Sequence, residues 1–306
     1  MIACLCVLVH QERSGPQGSH TASVLRRVAD RHPRVRQLWA ADADAVEVCL
    51  EQSPQDNVYV RSEIRHGALR QGSLVGVEHP GERGLHGVVM LGPLVVPWAP
   101  ASRDLVALAQ EMRPAAHRIQ LLVGPRDQVA ALQELLAPQL RHPRLVRAEQ
   151  PHYAVDSRSL LSADSEAPIR QATIADFEQV VEAGAAMHLE EVGFDPLSSD
   201  PVGFRQRVLT LIRRGWVRIW VIDGQLVFKA ECAAVTPEAV QLQGVWTRPD
   251  RRGRGLATAG MATVCRQLLG ETQSVTLFVN DFNLGAVRVY ERVGFERIGT
   301  MRSVLF

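Results

Sequence analysis

From residue 168 to the end, the spacing of apolar positions switches between two periods. Intervals of three and four residues predict helices over 174–189, 201–214, 256–269 and 283–292. Alternating or continuous apolar runs predict strands over 216–222, 225–235, 240–247, 274–279 and 295–306. Asp223-Gly224, between the first two strands, is a hairpin pair suited to left-handed backbone. Meander strands followed by a strand–helix–strand unit describe an α/β fold.

The first half follows a similar order, with strands over 85–91, 94–98 and 119–123 and helices over 102–112 and 126–136. Its opening also matches. Val35-Arg36-Gln37 with Ala41-Asp42 and Val46 aligns at one constant offset with Ile169-Arg170-Gln171, Ala175-Asp176 and Val180. In both, a short strand leads to a helix that opens on Asp, whose carboxylate can accept backbone N–H bonds and suits the positive helix end. An internal duplication follows from this spacing. The expected organisation is an appendage over 1–30, a first domain over 31–150, a closing strand and linker over 151–167, and a second domain over 168–306.

A length of 306 residues exceeds the roughly 100–200 of one domain, in line with two copies. The formal charge of +1 leaves no basic excess to neutralise phosphates, so no nucleic-acid partner is expected. No run approaches the roughly 20 apolar residues that span a bilayer, so no membrane partner is expected. The apolar run 2–9 lacks a basic flank and a cleavage site, and five irregularly placed cysteines form no disulfide or zinc framework. These features fit a reducing cytoplasm and imply no metal. Lys229 is the only lysine; the arginine bias is read as base composition of the genome rather than function.

Two stretches carry chemistry. In the first, the strand ending Gly244-Val245-Trp246-Thr247 runs through Arg248-Pro249-Asp250-Arg251-Arg252-Gly253-Arg254-Gly255 into a helix opening Leu256-Ala257-Thr258. Glycines let the backbone turn sharply, and the free N–H groups of a helix start make an anion site that fits a pyrophosphate. The second is Asn280-Asp281-Phe282-Asn283, then Ala286, Tyr290 and Gly294-Phe295. One strand and one helix separate the two.

Together these stretches resemble the GNAT superfamily of N-acetyltransferases, over roughly 168–306 and more weakly over the first half. The resemblance implies two fused GNAT-like α/β domains, each a mixed, mostly antiparallel sheet flanked by helices, with a degenerate amino-terminal copy. It implies acetyl-CoA as acyl donor, with Val245, Trp246 and Thr247 along the cofactor and the backbone of Val245 and Thr247 pairing with the pantetheine arm. Arg252, Gly253, Arg254, Gly255, Leu256, Ala257 and Thr258 would hold the phosphates. Asn283 would touch the cofactor arm, and Tyr290, two helical turns on, would protonate the departing thiolate as general acid. The bland alternative for Tyr290 is a packed core tyrosine.

The base is less defined. The strand position where some members of the superfamily carry glutamate is Ala239 here. Strand parity places Gln241 and Gln243 on one face with Val245 and Thr247, yet an amide is no base. Glu231 on the neighbouring strand is the leading carboxylate, with Glu190, Glu191 and His188 as further candidates. Proximity can supply much of the rate without a strong base.

The first half has Ala99-Pro100-Ala101-Ser102-Arg103-Asp104 where the second has its glycine turn, and no tyrosine matching Tyr290. Pro100 offers no N–H. This half is expected to bind no cofactor and to serve as packing partner or acceptor-site wall. The reading is an acetyltransferase acting on an unidentified amine, small molecule or protein, by direct transfer in a ternary complex. Alternatives are a non-catalytic acetyl-CoA-binding or sensor protein and a protein N-acetyltransferase.

Overall fold

The computed structural model describes residues 33–161 and 166–306, and the expected appendage over 1–30 lies outside them. Strand β1 (Arg34–Gln37) passes through a 3-10 turn into helices α1 (Ala43–Leu50) and α2 (Pro54–Arg65). Then come β2 (Leu74–Glu78), β3 (Gly87–Met90), β4 (Leu94–Trp98), α3 (Ser102–Met112), β5 (Leu121–Pro125), α4 (Arg126–Leu136) and β6 (Leu145–Asp156). The order then recurs. It runs β7 (Arg170–Gln171), α5 (Phe177–Val192), the single-turn α6 (Pro196–Ser199), α7 (Pro201–Arg213), β8 (Val217–Ile222), β9 (Gln225–Val235) and β10 (Ala239–Thr247). It ends with α8 (Leu256–Leu269), β11 (Ser274–Phe278), α9 (Leu284–Val293) and β12 (Glu296–Leu305).

The described residues form two compact units. One contains Pro54–Ser62 and Glu149–Met301; the other contains 33–53, Glu63–Ala148 and Arg302–Phe306. In the latter, β1, β2, β3 and β4 pair antiparallel in sequence, and β4 pairs parallel with β5. The chain's last residues join this sheet, where Phe306 N–H donates to Gln120 O at 2.9 Å. In the other unit β7, β8, β9 and β10 are antiparallel, β10 and β11 are parallel, and β6 pairs antiparallel with β11 from Asp156 opposite Ser274 to His152 opposite Phe278. The two sheets thus share one plan, α/β and mostly antiparallel. Strand β6 follows the first copy in sequence yet completes the sheet of the second.

The repeated opening is built from the same bonds. Asp42 accepts the Trp39 N–H at 2.8 Å and pairs with Arg36 at 2.8 Å. Asp176 accepts the Thr173 N–H at 2.8 Å and pairs with Arg170 at 2.7 Å. Each carboxylate reaches back to the residue before its turn, satisfying an amide that the helix leaves orphaned. The arginine hydrogen bond comes first among the causes that hold both carboxyls below their usual range.

In the β6–β11 unit the sheet is buried on both faces. Val240, Leu242, Phe228, Cys232, Val275 and Leu277 pack against Met261, Val264, Cys265 and Leu268 of α8 and Val293 of α9. Val217, Ile219 and Trp246 face Val180, Val181 and Met187 of α5 and Phe204, Val208, Leu211 and Ile212 of α7. The β8–β9 hairpin turns at Asp223-Gly224, with φ of 49° and 74°, the mirror-type turn anticipated for that pair. Among the described residues no helix is long and apolar enough to cross a membrane.

Candidate functional site

Strand β10 changes partners along its length. Its ladder with β11 covers Ala239 to Gln241, opposite Ser274 to Thr276. Beyond that the strand stays paired with β9 but slips by one residue between Gln243, opposite Glu231, and Trp246, opposite Lys229. The extra residue makes a bulge at Gly244, where φ is +59° and an added Cβ would stand 2.9 Å from Cδ of Glu231. A glycine is required there twice over, for its backbone and for its missing side chain.

The bulge also corrects strand parity. Gln243 and Trp246 now share the face of Glu231 and Lys229, while Leu242 and Val245 pack toward α8. Gln243 is therefore not on the face of Val245, because one inserted residue reverses the alternation.

Where β10 leaves β11, a cleft of about 620 Å³ opens. Among the residues singled out from the sequence, Val245, Trp246, Thr247, Arg252, Gly253, Gly255, Leu256, Ala257, Thr258, Asn283 and Tyr290 line it, as do Glu190 and Glu191. Arg254 and Glu231 do not. At one end lies the start of α8. Gly255 caps it at φ +80° without a side chain, no acidic residue stands in its first turn, and its first bond is Ala259 N–H to Gly255 O. The N–H groups of Leu256 to Thr258 precede that bond and have no intrahelical acceptor. An anion is the partner this arrangement suits.

Arg252 crosses the same end. Its guanidinium reaches Glu190 on the last turn of α5 at 2.8 Å and the Thr247 carbonyl at 3.0 Å. The backbone oxygen proposed from the sequence as a cofactor contact is thus engaged by a side chain of the phosphate loop. Arg288 and Arg292 of α9 line the cleft as well. Sequence reasoning missed both, although their four-residue spacing on one helix face is the signal that shows them.

At the other end the cleft narrows to about 60 Å³ between Glu191, Gln243, Gly244, Asn280 and Tyr290. Asn283 opens α9 as its cap, its Oδ1 accepting Ala286 N–H at 3.2 Å. Tyr290 is buried, with its ring edge-on to Phe295 at 5.7 Å. Burial, reinforced by Glu191, pushes its phenol well above the ordinary value and keeps it protonated at neutral pH.

Glu231 sits beneath the bulge as a locked carboxylate. Lys229 Nζ lies 2.6 Å from one oxygen and Arg207 3.0 Å from the other. Burial alone would raise its pKa, but the two cations outweigh that and hold it at about 2. A group so acidic takes a proton from an ammonium poorly. Lys229 also donates to the Gly244 carbonyl at 3.0 Å, tying the ion pair to the bulge. His188 is buried at the end of α5 and bonded to the Phe194 carbonyl, a structural placement. Of the candidate carboxylates, Glu191 alone lines the narrow end with Tyr290.

The matching turn of the other unit is closed from within. Ala99 N–H donates to Gln128 Oε1 at 2.7 Å, and Asp104, in the first turn of α3, is buried. The amide at the end of β4 is engaged, and a buried acidic residue stands in the first turn of α3, where the first turn of α8 has none.

Residues 187–295 match the Acetyltransferase (GNAT) family, and residues 72–180 match a Domain of unknown function (DUF4081). No curated protein sequence matches the chain. Among solved structures, a GCN5-related N-acetyltransferase from Sphaerobacter thermophilus aligns with a TM-score of 0.55 at 16% identity, over 89% of this chain and 95% of that one. An acetyltransferase of the GNAT family from Colwellia psychrerythraea gives 0.53 at 12%, over 89% and 99%. A tandem GNAT protein from the clavulanic acid biosynthesis pathway gives 0.51 at 13%, over 89% and 98%. The likeness to solved structures is one of fold, and it extends through both halves. The carboxy-terminal half carries a GNAT acetyltransferase domain, as its two motifs imply.

Proposed function

We propose that this GNAT domain, over 168–306, transfers an acetyl group from acetyl-CoA to an amine in a ternary complex, and that the first domain, over 31–150, binds no cofactor. One observation carries the reading. The uncapped amides at the start of α8 and the phenol of Tyr290 line a single cleft at the point where β10 parts from β11.

In this reading the pyrophosphate lies on the amides of Gly253 to Thr258, with Arg252 turning from Glu190 to phosphate and Arg254, Arg288 and Arg292 adding charge. The pantetheine arm runs along Val245, Trp246 and Thr247 and past Asn283. The amine nitrogen attacks the thioester carbon, the C–S bond breaks, and the leaving thiolate takes the Tyr290 proton. The proton released by the amine passes to Glu191 or to water. Glu231 holds Lys229, whose ammonium donates to the Gly244 carbonyl, and so acts as a positioning residue. The buried thiols Cys49, Cys232 and Cys265 suit work in a reducing cytoplasm.

The acidity of Glu231 is the observation favouring a protein that binds acetyl-CoA without transferring its acetyl group. Calorimetric titration with CoA, followed by thiol release from acetyl-CoA over a panel of amines, separates the two. Gly255→Val is the control for the cofactor seat. It forces a β-branched residue into left-handed backbone, so CoA affinity falls at least about tenfold, the amides being held in the wrong direction. The Cβ itself meets open space, so the rest of the domain stays folded. Unchanged affinity in Gly255→Val refutes the phosphate placement, and tight binding with no turnover refutes the transferase.

A further inference from the structure

The unit that lacks a cofactor seat carries a different cluster. The loop joining β2 to β3 starts at His79 and ends at His86, with Glu82 between them. Val77 pairs with Gly87, and His86 N–H donates to Val77 O at 2.8 Å, so the neck of the loop is closed. The two imidazole rings stack at 3.8 Å. Oε2 of Glu82 lies 3.5 Å from Nδ1 of His79 and 3.4 Å from Nε2 of His86, and the three ligand atoms all fall within 4.8 Å of one another.

The protons of this cluster can be assigned. His79 Nε2 is 2.6 Å from Oδ1 of Asp104, a carboxylate 1% exposed, so Nε2 carries the hydrogen. The Arg103 guanidinium, which can only donate, is 2.7 Å from Nδ1, so Nδ1 presents its lone pair. His86 Nε2 is shielded from solvent and has no hydrogen-bond partner among the described residues.

We propose that His79, Glu82 and His86 bind a divalent transition-metal ion of the zinc class. Two imidazole nitrogens and one carboxylate oxygen are a borderline donor set that such ions prefer, and the fourth position is left to water. Ligand bonds of 2.0–2.1 Å in a tetrahedron put donor atoms roughly 3.4 Å apart. Both separations from Glu82 already have that value, the third lies within 4.8 Å, and the stacked rings turn so that both nitrogens point at one ion. Asp104 supplies the carboxylate behind the histidine that fixes tautomer and ring direction at metal centres. The set already attracts a cation, since exposed Arg103 leans on the His79 lone pair and stands 3.7 Å from Glu82. The ion displaces it. This proposal is independent of the transfer chemistry, which uses no metal.

The test uses the full chain, stripped with chelator, reloaded with Zn²⁺ or Co²⁺ and dialysed. One zinc per chain by elemental analysis, and the visible absorption of four-coordinate Co²⁺, are the expected results. Glu82 is half exposed, so Glu82→Gln leaves the fold intact; it and His86→Gln lower Zn²⁺ affinity by at least about tenfold and abolish the cobalt bands. Arg103→Ala removes the competing cation and tightens binding. Failure to retain zinc, or equal retention by wild type and both ligand variants, overturns the site.

Discussion

Replacing Glu231 with glutamine separates an electrostatic role from a basic one. The variant leaves Lys229, which is fully buried, and Arg207 facing an amide. Removing one member of a buried ion cluster costs about 3–5 kcal/mol, because the remaining charge stays desolvated. The carboxylate gives the same scale from its own side. A fall from 4.5 to about 2 on folding corresponds to roughly 3 kcal/mol at 1.36 kcal/mol per unit. Because the folded value is the lower one, this stability is fully present above the unfolded pKa near 4.5 and is lost as the pH falls toward 2. For a unit of this size each kcal/mol moves Tm by about 2–4 °C, so Glu231→Gln drops Tm by about 6–20 °C at pH 7. Three of the five tryptophans, Trp216, Trp220 and Trp246, lie in this unit and the other two in its companion, so the fluorescence change on melting follows this unit in the larger part. The gap between wild type and variant narrows as the pH is lowered from about 4.5. Replacing the whole cluster, Lys229→Met, Glu231→Leu and Arg207→Met, recovers much of the loss, since apolar side chains substitute for all the paired charges. A Tm within about 2 °C of wild type, or a gap that ignores pH, refutes the locked pair and returns Glu231 to candidacy as the base.

Three further outcomes are expected. Tyr290→Phe keeps the ring packing and loses only the proton donor, so turnover of a genuine acceptor falls about 10²–10⁴-fold while CoA affinity measured by calorimetry stays the same; wild-type turnover makes Tyr290 a packing residue. The full chain binds one CoA, since the first copy's turn holds Pro100 and no glycine and its helix opens with the buried acidic residue Asp104; two sites in a titration refute this. Glu190→Gln frees Arg252 from a half-exposed pair worth about 0.2–1 kcal/mol, so CoA binding tightens by about 1.5- to 5-fold, and weakened binding shows that Glu190 orders the loop instead.

Most of the second half is legible because its periods are long and its punctuation is strong. Asp223-Gly224 turns as that pair does elsewhere, and the Gly253 and Gly255 turn precedes a helix whose free amides follow from having no capping side chain. What escapes the sequence is local in cause. Strand β2 hides because Gly76 interrupts a five-residue run, and α2 because Pro54-Gln55-Asp56-Asn57 reads as a loop although Pro is well placed in a first helical turn. The bulge at Gly244 defeats any parity argument, because a single uncounted residue exchanges the faces of everything beyond it. The lone lysine, attributed above to base composition, is placed by structure. Lys229 sits in a closed space beside Glu231 and the Gly244 carbonyl, and a compact ammonium fits there where a planar fork has less room to turn.

The duplication lets one copy serve as the internal control for the other. Both keep the strand arginine bonded to the aspartate of the opening turn, the antiparallel run of four strands and the parallel step to the fifth, so these features belong to the fold and carry no cofactor requirement. The copies part at the helix that follows the fourth strand. In one, the turn ends on a glycine at φ +80° and the first helical amides are uncapped, with arginines around them. In the other, a glutamine takes the Ala99 N–H, a buried aspartate fills the first turn, and that aspartate turns a histidine toward Glu82 and His86. A buried carboxylate in the first helical turn disfavours an anion beside it, whereas the same carboxylate, bonded to His79, favours a cation on that histidine. Reversing Asp104 to asparagine weakens zinc retention by about 10–100-fold, as loss of a supporting carboxylate does at metal centres, but restores no CoA binding while Pro100 and Gln128 remain. Measurable CoA binding to the first copy of that single variant shows that the aspartate alone closes the old seat.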